Sequence, residues 1–367
     1  MNNAIDLDFL QGHATQLPST PGAGPSANST TEAATRPVQA PATLISTGAP
    51  QGPGAMDPRT PVVPGTKSLR QTGVSPNSYV CEMDAVEYHN ESPGISYSRM
   101  KHMLVSPAMY QLKLQRPMQE TDALRVGRML HTTVLEPHLV NSEFAIWRDG
   151  RRQGGEWDLF RLTCGNKTII TEPQMACVEG MSEALMNMAD FPLDVWLSGV
   201  KGQNGGADIA PALKEHSLFW VDEETGLQCK ARPDAMTLAM NALVGDLKSA
   251  RSAAVDQFVF DIFKFRYDMQ AAHYLAGVKA VYGIDARFAF FAVEKEEPHV
   301  AQTFLMSPDA LAHGERHRRY CLRMIKRCLY DGSWPKQPPG AKPVLVEVPF
   351  MRDNSLNDMA EAYGVPL

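Results

Sequence analysis

The sequence predicts an α/β fold: a mixed central sheet flanked by helices, in one domain over about 78–340. Three observations lead there. Apolar residues recur at helical spacing in stretches between 98 and 190. From 215 the period changes to short apolar runs separated by turn residues. Two more helical stretches, 256–283 and 307–332, then bracket a strongly apolar run at 286–298. No internal repeat is present.

Residues 1–77 stand apart. They are rich in Pro, Ala, Ser, Thr and Gly, and 15–65 contains no aromatic residue. Such a segment cannot bury enough apolar surface to offset its ordering entropy, so a disordered tail or tether is expected. Its opening, MNNAIDLDFL, can form a short partner-binding motif, and Met56 is a candidate internal start. Structure is expected from about Ser78. SRMKHMLVSPAMYQLKL (98–114) has helical spacing, interrupted at Ser106-Pro107. ETDALRVGRMLHTTVLEP (120–137) starts acidic, carries Leu124, Met129, Leu130 and Val134 at helical spacing, and stops at Pro137. Residues 174–190 read as another helix and 199–206 as a loop. EHSLFWVDEETGLQCKARPDAMT (215–237) reads as strand, turn at Thr225-Gly226, strand. ALVGDLKSA (242–250) is a third strand, 256–283 one long helix ending near Gly283, and 286–298 a fourth strand. Residues 307–332 form a basic amphipathic helix with Ser307 as its cap. After Trp334 the chain turns Pro-rich, and 341–367 is expected to be a second tail.

Composition narrows the function classes. The 44% apolar and 21% charged fractions are ordinary for a soluble globular protein. No run of about 18 apolar residues exists, so no membrane span is expected. Asp6 and Asp8 near the start, with no basic region before an apolar core, argue against a secretory signal. The net charge of −6 does not suggest nucleic-acid binding, yet a local basic groove suffices for that. The six cysteines make no C-x-x-C pair, which disfavours a zinc knuckle, a redox motif or an iron–sulfur cluster. Reduced thiols in a cytosolic protein are expected. There is no Walker A motif.

The chemistry concentrates in RPDAMTLAMNALVGDLKSA (232–250). Asp246 and Lys248 are two apart on an expected strand and share a face, with Leu243 and Leu247 on the other. Asp234 ends the preceding strand, after Arg232-Pro233. If those strands pair through their short connection, both aspartates approach one edge of the sheet. That suits a hard cation such as Mg²⁺, which takes oxygen ligands and keeps several waters. The lysine would then orient or help deprotonate a metal-bound water and offset charge on a phosphorus centre.

Pro233-Asp234 followed by Asp246-Leu247-Lys248 resembles the PD-(D/E)xK motif of the nuclease superfamily. QAAHYLAG (270–277) is similar to the Q-x-x-x-Y element of its RecB-like branch, with Gln270 and Tyr274 at i, i+4 on one helix face. His131, in GRMLHTTVLEP, stands where that branch often carries a metal-proximal histidine. YHNESPGISYSRMKHMLVSPAMY (88–110) looks like the opening of a RecE-type exonuclease domain, similar to exodeoxyribonuclease VIII. The resemblance spans about 86–300 and keeps the order of elements.

It implies a restriction-endonuclease-like core and a Mg²⁺-dependent exonuclease that degrades one strand of linear double-stranded DNA from its 5′ end. The product is a 3′ overhang for recombination by strand annealing. It further implies a homo-oligomeric ring, for instance a tetramer, a RecT-like single-strand-annealing partner, and a phage or prophage gene expressed in a bacterial cytoplasm. Asp234 and Asp246 would be metal ligands, with the Leu247 carbonyl as a third, and Lys248 the catalytic lysine. His131 would lie close to the metal, where imidazole favours Mn²⁺ as a substitute. Gln270 and Tyr274 would position the lysine or the scissile phosphate. Glu215 resembles a further metal-site acid, and Arg99, Lys101 and Arg232 are candidate DNA contacts.

Each residue also has a plainer reading. Strand-end aspartates make turn contacts. A lone histidine is usually a satisfied core residue, and Gln270 and Tyr274 can be helix packing. The basic stretch 314–327 is more often a solvated helix face than a DNA contact. Two other functions stay open: a different PD-(D/E)xK nuclease, CRISPR- or repair-associated and acting on single strands or flaps, and a non-catalytic DNA-binding protein on a decayed nuclease fold.

Overall fold

The computed structural model describes residues 78–337, 342 and 343, except 84, 86, 117–120, 202–208 and 240. The expected tail at 1–77, and all but two residues of that at 341–367, lie outside the described residues.

The central sheet has the order β10-β9-β8-β7-β4. Its strands are β4 (Leu213–Lys214), β7 (Ala235–Thr237), β8 (Leu243–Ala250), β9 (Arg287–Glu294) and β10 (Ala301–Leu305). β8 and β9 run parallel and the other pairs antiparallel, so the sheet is mixed as expected. A second sheet, antiparallel, joins β1 (Tyr79–Cys81), β5 (Ser217–Val221) and β6 (Gln228–Ala231). β2 (Phe144–Trp147) and β3 (Thr168–Thr171) form a small parallel pair.

Period-2 alternation on β8 separates two cores. Leu243 and Leu247 face α3 (Asp122–Leu135) and α5 (Glu172–Met186), packing with Met129, Leu130, Val178 and Met181. Val244, with Phe288 and Phe290 of β9, faces α8 (Tyr267–Tyr282) and α9 (Pro308–Asp331), packing with Met269, Val278, Leu322 and Ile325. Asp246 and Lys248 therefore point toward α8. Further helices are α1 (Tyr97–Met100), α2 (Pro107–Gln115), α4 (Gly155–Cys164), α6 (Leu193–Ser198) and α7 (Val255–Phe265), with one more α-helical turn at Val140–Glu143. Local signals set the ends. Ser106, Thr121 and Ser307 accept from backbone N–H groups as N-caps of α2, α3 and α9. Gly283 and Gly332 end α8 and α9 in the left-handed conformation.

Three expectations need correction. The strand expected to run to about 236 is two, β6 and β7, which lie in different sheets, because Pro233 cannot donate to a ladder. The helix expected over 256–283 breaks at Arg266, which is left-handed (φ 61°). Tyr97 Oη donates to the Phe265 carbonyl at 2.5 Å, satisfying a helix-end acceptor from a remote segment. Glu215 does not start a strand but sits in a left-handed turn (φ 53°) between β4 and β5. Sequence reasoning also passed over β10, β2 and β3.

The basic face of α9 is largely engaged in ion pairs. Arg318, fully buried, meets Asp222 at 3.2 Å and Glu315 at 2.6 Å. Arg319 meets Asp222, Glu224 and Glu315, and Arg323 meets Glu224. Asp222 also accepts from Thr225 in the β5–β6 turn, so α9 clamps that hairpin. The six cysteines are unpaired. Among the described residues no helix is long and apolar enough to cross a membrane.

Gly245 sets the fit between β8 and the α6 side of the sheet. A Cβ there would lie 2.6 Å from the Phe291 ring and 2.7 Å from that of Trp196. Gly245→Ala is expected to destabilise the fold by about 1–3 kcal/mol through overpacking. A lower urea midpoint at unchanged slope is the check.

Candidate active site

β7 is short, and this builds the site. Its first residue, Ala235, pairs with Gly245, so beyond Gly245 that edge of β8 has no strand beside it. Asp234, one residue before β7, takes the strand's place. Its Oδ2 accepts the Leu247 N–H at 2.6 Å. In a strand, a residue's N–H and C=O point to the same neighbour, so the Leu247 carbonyl lies on this edge too. Asp246, one residue away, projects toward α8, where Gln270 Nε2 donates to its Oδ1 at 2.6 Å. Lys248 Nζ pairs with Asp246 Oδ2.

α3 adds a residue from the other layer. His131 Nδ1 lies 3.3 Å from Asp234 Oδ2. Glu215 arrives from the β4–β5 turn, whose backbone N–H donates to the Asp234 carbonyl at 3.0 Å. Ligand atoms of His131, Glu215 and Asp234 lie within 4.8 Å of one another. The structure thus brings together Asp234, Asp246, Leu247, Lys248, Gln270, His131 and Glu215.

Burial and close approach perturb the ionisation of every acid in the cluster. Burial first, and then Asp234, push the Asp246 carboxyl up to about 6. The same two causes push Glu215 up to about 7, against the opposing pull of Arg232 and His131. Burial works against ionised Asp234 too, but His131, Lys248 and the Leu247 N–H hold it below the usual carboxylate range. Burial opposes charge on His131, yet Asp234 leads Glu215 and Asp246 in raising it to about 9. Lys248 is likewise held above its ordinary value, burial being outweighed by Asp246, Tyr267 and Asp234. Three carboxylates that resist ionising together, with a backbone carbonyl and an imidazole beside them, fit a divalent cation. Asp234, Asp246 and Glu215 supply the hard oxygen donors such a cation takes.

A cleft of about 250 Å³ opens onto Lys248, Gln270 and Tyr274. Tyr88, Tyr97 and Tyr267 line its walls with Lys101. Lys248 Nζ sits 4.8 Å from the Tyr267 ring centroid. Burial, and then the charge of Lys248, lower the Lys101 pKa, so two ammonium groups share one cleft. Tyr274 packs its ring 6.3 Å from that of Phe288. Arg99 donates to the His89 carbonyl at 3.3 Å. Arg232 is turned to Glu215 at 2.5 Å and the Met83 carbonyl at 3.0 Å, and does not line the cleft.

Sequence reasoning missed Tyr88, Tyr97, Tyr267 and Lys230. Tyr267 stands three residues before Gln270, a spacing that shares a helix face and was available as a signal. Lys230 is buried on β6 and donates to the Tyr88 and Ser92 carbonyls at 2.6 and 2.8 Å, fixing the cleft's Tyr88 wall. Nothing local marks it.

The family model described as a PDDEXK-like domain of unknown function (DUF3799) matches residues 96–342. The chain belongs to this family. The match takes in Asp234, Asp246, Lys248 and Gln270, and the mixed α/β architecture is a PD-(D/E)xK nuclease fold. Among solved structures, a Eubacterium rectale protein described as a candidate exonuclease is similar at 13% identity with a TM-score of 0.48, over 75% of this chain and 98% of that one. No curated protein matches the chain.

The raised carboxyl groups make cation binding pH-dependent. A protonated acid or imidazolium is no ligand, so affinity weakens as pH falls through about 9, where His131 takes up its proton, and is lost through about 7 and then about 6 as Glu215 and Asp246 follow. Calorimetric titration with Mn²⁺ in two buffers of different ionisation enthalpy should show more protons released at about pH 6 than at about pH 8, where only the release from His131 remains.

Proposed function

We propose that this chain is a metal-dependent 5′→3′ exonuclease that degrades one strand of linear double-stranded DNA and leaves a 3′ overhang for strand annealing. The observation that carries the reading is the convergence of Asp234, Asp246, Lys248 and Gln270 at one end of a cleft that Lys101 also lines. The substrate polarity and the duplex end rest on the ordered resemblance to RecE-type exonucleases. A homo-oligomeric ring and a RecT-like annealing partner belong to the same reading, as does a phage or prophage origin with activity in the bacterial cytoplasm.

Asp234, Asp246 and Glu215, with the Leu247 carbonyl and His131, would hold Mg²⁺, or Mn²⁺ in its place. When bound, the cation supplies Lewis acidity and a water of lowered pKa. The chain's own groups do the rest. Gln270 holds Asp246 Oδ1 and so fixes the carboxylate plane. Lys248, charged and anchored on Asp246 Oδ2, orients the attacking water and offsets charge that grows on the phosphate. Lys101 offers a second cation to the backbone within the cleft. The tyrosine walls shield these charges from water and so strengthen them.

The test is digestion of a linear duplex labelled at the 5′ or the 3′ end of one strand, with Mg²⁺ or EDTA, beside a closed circle. Metal-dependent loss of the 5′ label with the circle spared is expected. Release of the 3′ label first, or cutting of the circle, would overturn the polarity or the end-dependence. Asp246→Ala and Lys248→Ala should each lower the rate by about 10²–10³-fold or more with the fold retained, as for other groups that stabilise developing charge. Full activity in either would sink the nuclease assignment.

A further inference from the structure

We propose that Asp268, His313 and His317 form a second cation site, which takes a transition metal of the Zn²⁺ class and ties α9 to the first turn of α8. It shares no residue with the acid cluster, and it does not rest on the exonuclease reading. Ligand atoms of the three residues lie within 4.8 Å of one another. Zn²⁺ bonds of about 2.0–2.2 Å to nitrogen and oxygen bring such atoms to about 3.4 Å apart, a small side-chain adjustment away.

Several features mark the site as built. Asp268 is 3% exposed, and its Oδ1 is buried without a hydrogen-bond partner. Its Oδ2 meets His313 Nδ1 at 2.6 Å. His313 and His317 stand at i, i+4 on α9, one turn apart on one face, with ring centroids 4.5 Å apart. His317 Nδ1 lies 3.0 Å from the His313 carbonyl. As a donor there, it fixes the tautomer that leaves Nε2 for a metal. Gly314 makes the approach feasible: a Cβ at that position would lie 2.1 Å from the Asp268 carbonyl oxygen. Helix α9 thus touches the α8 backbone where the carboxylate and the two imidazoles meet. Two imidazoles and one carboxylate suit Zn²⁺ rather than Mg²⁺ or Ca²⁺, which prefer all-oxygen sets. Three protein ligands leave a fourth position for water. The same first turn of α8 leads into Gln270, so an ion here braces the helix that positions Asp246.

The test is Zn²⁺ binding by equilibrium dialysis to the full chain carrying Asp234→Asn, which takes a ligand from the acid cluster and so weakens it as a competitor. One Zn²⁺ per chain is expected. Adding His317→Gln or Asp268→Asn should weaken binding by roughly ten-fold or more. Co²⁺ in place of Zn²⁺ should give visible absorption bands in the Asp234→Asn parent that fade in both double variants. On the parent alone, Zn²⁺ should protect His313 and His317 from diethyl pyrocarbonate, read by mass spectrometry, so the outcome does not depend on a variant folding. No Zn²⁺ uptake by the parent, unchanged affinity in both double variants, or labelling of both histidines unaffected by Zn²⁺ would each overturn the proposal.

Discussion

One hydrogen bond holds the site in place: the Asp234 carboxylate accepting the Leu247 N–H. It does the work of a missing strand. β7 starts too late to cover this edge of β8, so a side chain satisfies a backbone donor that a ladder would otherwise take. Because that side chain is an acid, the sheet edge becomes a site of negative charge. Because Leu247 lies between Asp246 and Lys248, the bond also fixes the height at which both project toward α8. A strand two residues longer, reaching position 233 opposite Leu247, would close the edge and remove the place for a ligand.

The charges around this edge are interdependent. Asp234 faces His131, Asp246 faces Lys248, and Glu215 faces Arg232. All of these side chains are at least partly withdrawn from water, so removing one partner exposes the other to the full penalty of burial. Although each acid has a cationic partner, burial first and then the charge of Asp234 make Asp246 and Glu215 resist ionisation. Such a site costs stability until a cation binds, a cost the two sheet cores must cover. The two apolar faces of the central sheet provide that foundation, with Val244, Phe288 and Phe290 on one side and Leu247 and Phe291 on the other.

Much of this was legible in the sequence where the signal is local. The two-residue spacing of Asp246 and Lys248 put both on one face, and Leu243 and Leu247 on the other, as the packing shows. The interruption at Ser106-Pro107, the cap at Ser307 and the stop at Gly283 are likewise local chemistry. What escaped depends on distant partners. The break at Arg266 carries no Gly or Pro, and it is held by Tyr97, 168 residues from its acceptor Phe265. Lys230 looks like an exposed strand lysine until the Tyr88–Ser92 segment folds over it. Glu215 stood on the page as an acid at a strand start, but its positive φ and its pairing with Arg232 are properties of the assembled turn. β2 and β3 are four residues each, too short for periodicity to separate from a helix turn.

The split of the expected strand into β6 and β7 has a mechanical meaning. The chain leaves the small sheet at Ala231 and enters the large one at Ala235, so Arg232, Pro233 and Asp234 are the whole connection at that point. Arg232 grips Glu215, which sits on the other crossing between the same two sheets. Both crossings thus carry acids of the site. A tilt of one sheet against the other would change the separation of Glu215, Asp234 and Asp246. The acid cluster lies where the chain crosses between the two sheets, and its spacing is a gauge of how they are set.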